Sequence, residues 1–326
     1  IQGEWKTQEG YMTTLLEKYA IQFLEQAQQE KKPWFLALPF NAPHLPLTLP
    51  KEKDRKHKSI SEIPIRKNDN VIPTGAPTWL KEKKPFSPKM RKRLLEQRLE
   101  QREALSILDE SIERIIANLK QGGSYENTLI FFLSDNGLFF GEHRLQSKDA
   151  IYEEATKVPF AIRKPGQAQG TLNQALVANI DIAPTIFDYA EVPKPWHMDG
   201  ISLKPLLEQN EEIQPRMLLV EGFRRAGPRN AFSALHTGGE VFVTQHYIAT
   251  EPNEYELYDL DEDEFQLTNR VEDLKKKDSV STLKHNLLET IKEMRGSLIV
   301  ELPKEKRLPA KISGPKRKDL KRSPQL

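Results

Sequence analysis

The run from Leu129 to Phe160, LIFFLSDNGLFFGEHRLQSKDAIYEEATKVPF, constrains this chain more than any other stretch. It opens with five apolar residues, the pattern of a short strand buried on both faces. The strand stops in a polar turn, Ser134-Asp135-Asn136-Gly137. In open α/β sheets ligands sit just beyond the carboxyl ends of strands, so Asp135 and Asn136 stand where a site belongs. Both carry oxygen atoms suited to a hard cation. Both also suit an ordinary turn, where their side chains bond the local backbone. Thirteen residues after Asp135 comes Lys148, a mobile positive charge suited to a tetrahedral oxyanion.

Around this run the chain alternates helices and strands. Apolar positions 12, 15, 16, 19, 20, 23 and 24 have helical spacing over residues 9–30, and Pro33 ends that segment. Trp34-Phe35-Leu36-Ala37-Leu38 reads as a buried strand, followed by a loop stiffened by prolines, Pro39-Phe40-Asn41-Ala42-Pro43-His44-Leu45-Pro46. Residues 47–88 lack periodicity and are rich in Lys and Pro, which predicts a long surface excursion. A helix is predicted over about 89–120, closed by Gly122-Gly123. Val158–Ile162 reads as a strand and Ile180–Tyr189 as a helix. The alternation predicts an α/β fold with a mostly parallel sheet flanked by helices. After Pro193-Lys194-Pro195 the texture changes. Four short β-rich runs between 216 and 259, then an amphipathic stretch over 273–296, predict a small antiparallel sheet with a helix.

Composition narrows the class. Charged residues make up 29% of the 326, and no apolar run approaches the roughly 20 residues a bilayer span needs. The opening residues lack the basic start and apolar core of a signal peptide. Residues 301–326 carry nine Lys or Arg against three acids and several prolines, which reads as a solvated, disordered tail. The chain has no cysteine, so it forms no disulfides.

The Leu129–Phe160 run resembles the sulfatase family of the alkaline-phosphatase-like superfamily. There a strand ends in Ser-Asp-Asn-Gly or Ser-Asp-His-Gly, and the Asp and its neighbour bind a divalent cation, usually calcium. Gly141-Glu142-His143, Lys148, Tyr152-Glu153 and Val158-Pro159 match that family in order and spacing. Ser147 stands where many relatives carry Gly. The Asn-Ala-Pro-His-Leu-Pro loop resembles the family's Pro-His-x-Pro element. Segments 106–132, 178–207 and 255–269 are similar to further parts of the family, so the resemblance runs over about residues 10–300.

This resemblance implies catalytic roles for His44 and Lys148, the first protonating the departing alkoxide and the second contacting the sulfate. It implies metal ligation by Asp135 and Asn136. Glu142 and His143 have a plainer expectation, loop structure or support of the site. The implied substrate is a sulfated carbohydrate, and the implied setting is extracytoplasmic; no nucleic-acid partner is expected. The family's nucleophile is formylglycine made from Cys or Ser in a Cys/Ser-x-Pro-x-Arg element. No such element is recognisable here. Ser87-Pro88-Lys89-Met90-Arg91 has its proline one position early and is expected to begin the long helix. The expectation is therefore the C-terminal part of a sulfatase, inactive alone, whose nucleophile lies in a missing N-terminal part. Its predicted domains are 1–195 (part of the catalytic α/β domain), 196–300 (a small α+β subdomain) and 301–326 (the tail). Alternatives are a phosphate mono- or diester hydrolase of the same superfamily, and a non-catalytic glycan-binding relic.

Overall fold

A computed structural model describes residues 8–30, 32–47, 49, 56, 61, 63–167, 170–209, 213–222, 231–246 and 254–295. The predicted tail, 301–326, lies outside the described residues.

Two long helices form the first layer, α1 (Met12–Glu30) and α3 (Pro88–Gln121). Ser87 caps α3, its hydroxyl accepting from the Met90 amide at 3.2 Å, and Pro88 occupies the first turn. This is the start that the Ser-Pro pair predicts, because proline's missing N–H costs nothing there. The helix ends at Gly122, and Gly123 follows at φ +71°. Ala20 and Leu24 of α1 pack on Ile115 and Leu119 of α3. The ion pair from Arg114 to Glu17, 2.6 Å, ties the same helices at the rim.

Trp34, Leu36, Leu38 and Phe40 pack against that helix pair, while Phe35 between them is 69% exposed. This period of two is a strand's side-chain pattern. Yet among the described residues no ladder pairs the segment, so it is extended chain rather than part of a sheet. The predicted strand near Val158 forms as β4 (Phe160–Arg163) and pairs antiparallel with β1 (Ile130–Leu133), Leu133 opposite Phe160. Every ladder among the described strands is antiparallel. Helix–strand alternation predicts which segments are strands, but direction depends on which strands become neighbours. The parallel character expected from the alternation therefore has no ladder behind it.

Residues 47–88 depart from the expected surface excursion. Ile63, Ala76, Trp79 and Leu80 are buried, the last two on the short helix α2 (Thr78–Lys81). Ala76, Trp79 and Leu80 join Phe139, Leu145, Ala150, Tyr152, Ala155 and Tyr258 in the central core. Each such large side chain stabilises the fold by about 1.5–3 kcal/mol. One helix of four residues and otherwise irregular backbone place Ala76, Trp79 and Leu80, so no periodicity marks them in sequence.

The C-terminal half follows the prediction closely. Helices α5 (Ile182–Tyr189) and α6 (Lys204–Gln209) lead into a four-stranded antiparallel meander. Its strands are β5 (Leu218–Gly222), β6 (Ala231–His236), β7 (Glu240–His246) and β8 (Glu254–Asp259). Helix α7 (Lys277–Arg295) lays Leu283 and Leu287 on Leu235, Phe242 and Leu257. The other face, Phe232, Ala234, Val241 and Val243, covers Ile151. Burial on both faces explains the nearly unbroken apolar runs of β6 and β7. Among the described residues no helix is long and apolar enough to cross a membrane.

Candidate active site

Strand β1 delivers the turn Ser134–Gly137 at its carboxyl end. Ser134 Oγ donates to the Asn136 carbonyl at 2.9 Å, and Asn136 Nδ2 donates to the Gly137 carbonyl at 2.8 Å. These local bonds are why Ser, Asp, Asn and Gly suit the position. The Gly137 amide donates to the Ala155 carbonyl at 2.9 Å, fastening the turn to α4 (Glu153–Thr156). The approach is so close that a Cβ at Gly137 would lie 2.0 Å from the Glu154 carbonyl oxygen.

A small hairpin then turns the chain back. Strands β2 (Phe139–Phe140) and β3 (Gln146–Ser147) pair with Phe139 opposite Ser147. This register carries Lys148 back to the turn, where its Nζ donates to Asn136 Oδ1 at 2.6 Å. The spacing of twelve residues between the two is thus the length of one hairpin. Ser147 sits at φ +74°, the left-handed region that favours glycine.

His44 lies on a loop anchored to α3: Gln101 Nε2 donates to the Pro43 carbonyl at 2.8 Å, and the His44 amide donates to the Asn41 carbonyl at 2.8 Å. The Ala42–Pro43 and Leu45–Pro46 peptides are cis. The imidazole is exposed, and no hydrogen bond or ion pair joins it to Asp135, Asn136 or Lys148. The structure therefore brings Lys148 to Asn136 by direct contact, with Asp135 beside them by sequence, and sets His44 on a separate loop.

Asp135 is exposed and its carboxylate carries no hydrogen bond among the described residues. With Asn136 it makes an oxygen donor set, the chemistry a hard cation takes. Two oxygens fall well short of the six to eight that calcium collects, and one of them already accepts from Lys148. No cluster of three or more His, Cys, Asp or Glu able to hold a metal occurs among the described residues. These two side chains do not constitute a metal site by themselves.

The other matched residues turn inward. Glu142 accepts from the Phe140 amide at 2.6 Å, closing the hairpin loop. His143, fully buried, stacks on Tyr152 with ring centroids 4.3 Å apart. Its Nε2 lies 3.1 Å from Asn68 Nδ2 and 3.5 Å from Glu154. Burial pushes the Glu154 carboxyl up, but the bonds from His143 and Asn68 outweigh it and hold that carboxyl below its ordinary value. The Tyr152 hydroxyl donates to Glu256 at 2.9 Å, as do Tyr258 at 2.7 Å and Gln245 at 2.6 Å. Burial raises the Glu256 carboxyl above its ordinary range despite these three donors. Glu153 meets His236 at 3.1 Å. Tyr152 and Glu153 thus bind α4 to the C-terminal sheet, while Glu142 and His143 hold the hairpin loop to its surroundings, in keeping with the plainer expectation for Glu142 and His143.

Sequence reasoning missed Asn68, Gln245 and Glu256 as members of this network. The signal for Glu256 was available: a carboxylate flanked by Tyr255 and Leu257 inside the β-rich run YELYDL.

A family model described as Sulfatase matches residues 2–192, more than half the chain. A second, described as N-sulphoglucosamine sulphohydrolase, C-terminal, matches residues 141–293. The chain is 32% identical over 225 residues to an extracellular sulfatase of Drosophila melanogaster, covering 66% of this chain and 20% of that protein. It is 31% identical over 215 residues to N-acetylglucosamine-6-sulfatase of Homo sapiens, covering 65% of this chain and 39% of that one. A protein solved in complex with its substrate D-glucosamine-2-N,6-O-disulfate shares the fold. Its TM-score is 0.71 at 20% identity, over 92% of this chain and 73% of that one. The chain therefore spans a fifth to two fifths of the length of these two curated relatives. A strand ending in an Asp-Asn turn, a lysine folded back onto it, and a match over more than half of the residues carry one conclusion: the chain belongs to the sulfatase family.

Proposed function

We propose that this chain carries part of a sulfuric ester hydrolase site for sulfated carbohydrate. The observation that carries the reading is the contact of Lys148 with Asn136 at the end of β1. An ammonium held there offsets negative charge that builds on the ester oxygens as the S–O bond breaks. Removing one such charge-stabilising donor typically costs about 100- to 1000-fold in rate. His44 protonates the departing alkoxide oxygen, a general-acid role worth roughly 100- to 10,000-fold. The prolines around it limit the positions its imidazole samples.

Asp135 and Asn136 supply two oxygen ligands to a hard cation, calcium by preference, and the remaining ligands come from outside the described residues. The 326 residues include no cysteine, and the nucleophile of the formylglycine type is supplied from outside them. Residues 1–195 form the catalytic portion, and 196–300 the subdomain that braces it through Glu256. The named substrates of the relatives, an N-acetylglucosamine-6-sulfate and a disulfated glucosamine, support a sulfated amino sugar. The extracellular relative supports an extracytoplasmic setting.

The test is turnover of an aryl sulfate and the matching aryl phosphate by the 326-residue chain, alone and joined to a segment bearing the nucleophile. The expected result is no turnover alone, and preference for sulfate when joined. Robust hydrolysis by the chain alone overturns the placement of the nucleophile. A preference for phosphate overturns the ester.

A further inference from the structure

The Asp135–Asn136 turn does not fix its own position. Its Gly137 amide hangs on the Ala155 carbonyl at 2.9 Å, so the turn lies where α4 lies. That helix is a single turn of four residues, too short to be stable alone. Ties from outside therefore set its place.

Gln266 grips its backbone. The Glu153 amide, first of α4, donates to Gln266 Oε1 at 2.7 Å. Amides in the first turn of a helix have no acceptor within it, so this bond satisfies a donor that α4 cannot satisfy itself. Gln266 is 1% exposed and stands at φ +49°, a left-handed backbone uncommon outside glycine. Strain of this kind persists only where the surroundings over-determine it, and it collects at functional sites.

The loop that carries Gln266 is itself held. The Gln266 amide donates to the Asp263 carbonyl at 3.0 Å, and the Thr74 amide donates to the Leu267 carbonyl at 2.8 Å. Asn68 Nδ2 spans the same junction, 2.7 Å from Glu154 Oε1 and 3.4 Å from the Phe265 carbonyl oxygen. A line of direct contacts runs from Gln266 to Glu153, from Ala155 to Gly137, and across the turn to the Asn136–Lys148 bond at 2.6 Å.

We propose that Gln266 is a positioning residue of the site. Its side-chain carbonyl holds α4, and α4 holds the turn that presents Asp135 and Asn136 beside Lys148. The consequence for an ester rests on the proposed function; the hold on the turn does not.

The test is hydrogen exchange of the Gly137 amide in the 326-residue chain, followed by NMR, together with calorimetric binding of 6-sulfated glucosamine. Gln266→Met keeps the length and removes the acceptor. It should speed Gly137 exchange about two- to tenfold, the factor one hydrogen bond carries, and weaken the monosaccharide by a similar factor. Gln266→Glu keeps an oxygen facing the Glu153 amide and should leave both readouts within about twofold of wild type. Leu283→Ala removes a side chain of α7 from the opposite face of the C-terminal sheet. It lowers overall stability but should leave Gly137 exchange within about twofold of wild type.

Unchanged Gly137 exchange in Gln266→Met overturns the positioning role, and so does equal acceleration by Gln266→Glu or Leu283→Ala. Faster exchange with undiminished affinity overturns it as well, since the turn would then move without consequence for the ligand. Lys148→Met tests the underlying reading separately, because it should weaken the monosaccharide. If it does not, or if the wild-type chain binds no monosaccharide, the ester site fails, while the exchange comparison still decides whether Gln266 holds the turn.

Discussion

Gly137→Ala tests how the Asp135–Asn136 turn is held. Gly137 is not in the left-handed region, so the cost of a side chain there is purely steric. The added methyl would lie 2.0 Å from the Glu154 oxygen, 2.9 Å from its carbonyl carbon and 3.2 Å from the Ala155 Cα. These are backbone atoms, which cannot swing away as a side chain does. Relief requires the turn and α4 to separate by more than 1 Å (an order-of-magnitude displacement from ordinary ~3.4 Å contact), which also breaks the bond from Gly137 to Ala155. Overpacking costs about 1–3 kcal/mol and the lost bond about 1 kcal/mol. The expected destabilisation is therefore about 2–4 kcal/mol, read as a shift in urea midpoint at unchanged m-value. Gly123→Ala is the control. Nothing lies within 4 Å of its Cβ, but its φ is +71°, so it should lose only about 1 kcal/mol. A loss below about 1 kcal/mol at Gly137, or one no larger than at Gly123, refutes the packing argument.

Substitutions at three further positions probe separate parts of the frame. Ser147→Gly should be neutral or stabilising by up to about 1 kcal/mol, while Ser147→Val should be destabilising, because its backbone is left-handed; thermal unfolding of the two variants reads the difference. Asp181 is fully buried and accepts from Arg216 and from the Ala178 and Ile201 amides, so Asp181→Asn should cost about 3–5 kcal/mol by leaving the guanidinium without its partner. Glu256 carries a pH signature. Its folded-state carboxyl is raised above the ordinary 4.5 by burial, so the stability it contributes is full below the unfolded-state value and is lost as pH rises through the folded one. Wild type should therefore lose melting temperature relative to Glu256→Gln as pH rises above the ordinary carboxylate range; a gap that stays constant, or widens in favour of wild type, contradicts the assignment.

The parts of this fold that repeat were legible in sequence. The helical spacing of residues 12–24, the Ser87-Pro88 start of α3 and its glycine end each encode a local rule, and the structure obeys them. The four runs of the C-terminal meander were readable because strand residues and turn residues alternate there. What was not legible depends on partners distant in the chain. The strand expected at Trp34–Leu38 keeps its two-sided pattern but has no ladder among the described residues, since pairing is a property of two segments. Trp79 and Leu80 were hidden in a stretch of lysines and prolines because a helix of four residues is too short to show a period. At the site, Lys148 and Asn136 were each singled out in sequence, but the hairpin that brings them into contact was not. His143 is legible only as part of a motif; that it turns inward to Tyr152 and Asn68 follows from packing alone.

The central claim is that Lys148 and His44 meet one ester. Calorimetry of 6-sulfated glucosamine binding across a double-mutant cycle, with Lys148→Met, His44→Ala and the pair, tests it most directly. Side chains that engage the same group should couple by about 1 kcal/mol or more. Losses that simply add, within about 0.3 kcal/mol, would mean that the loop and the hairpin serve different sites.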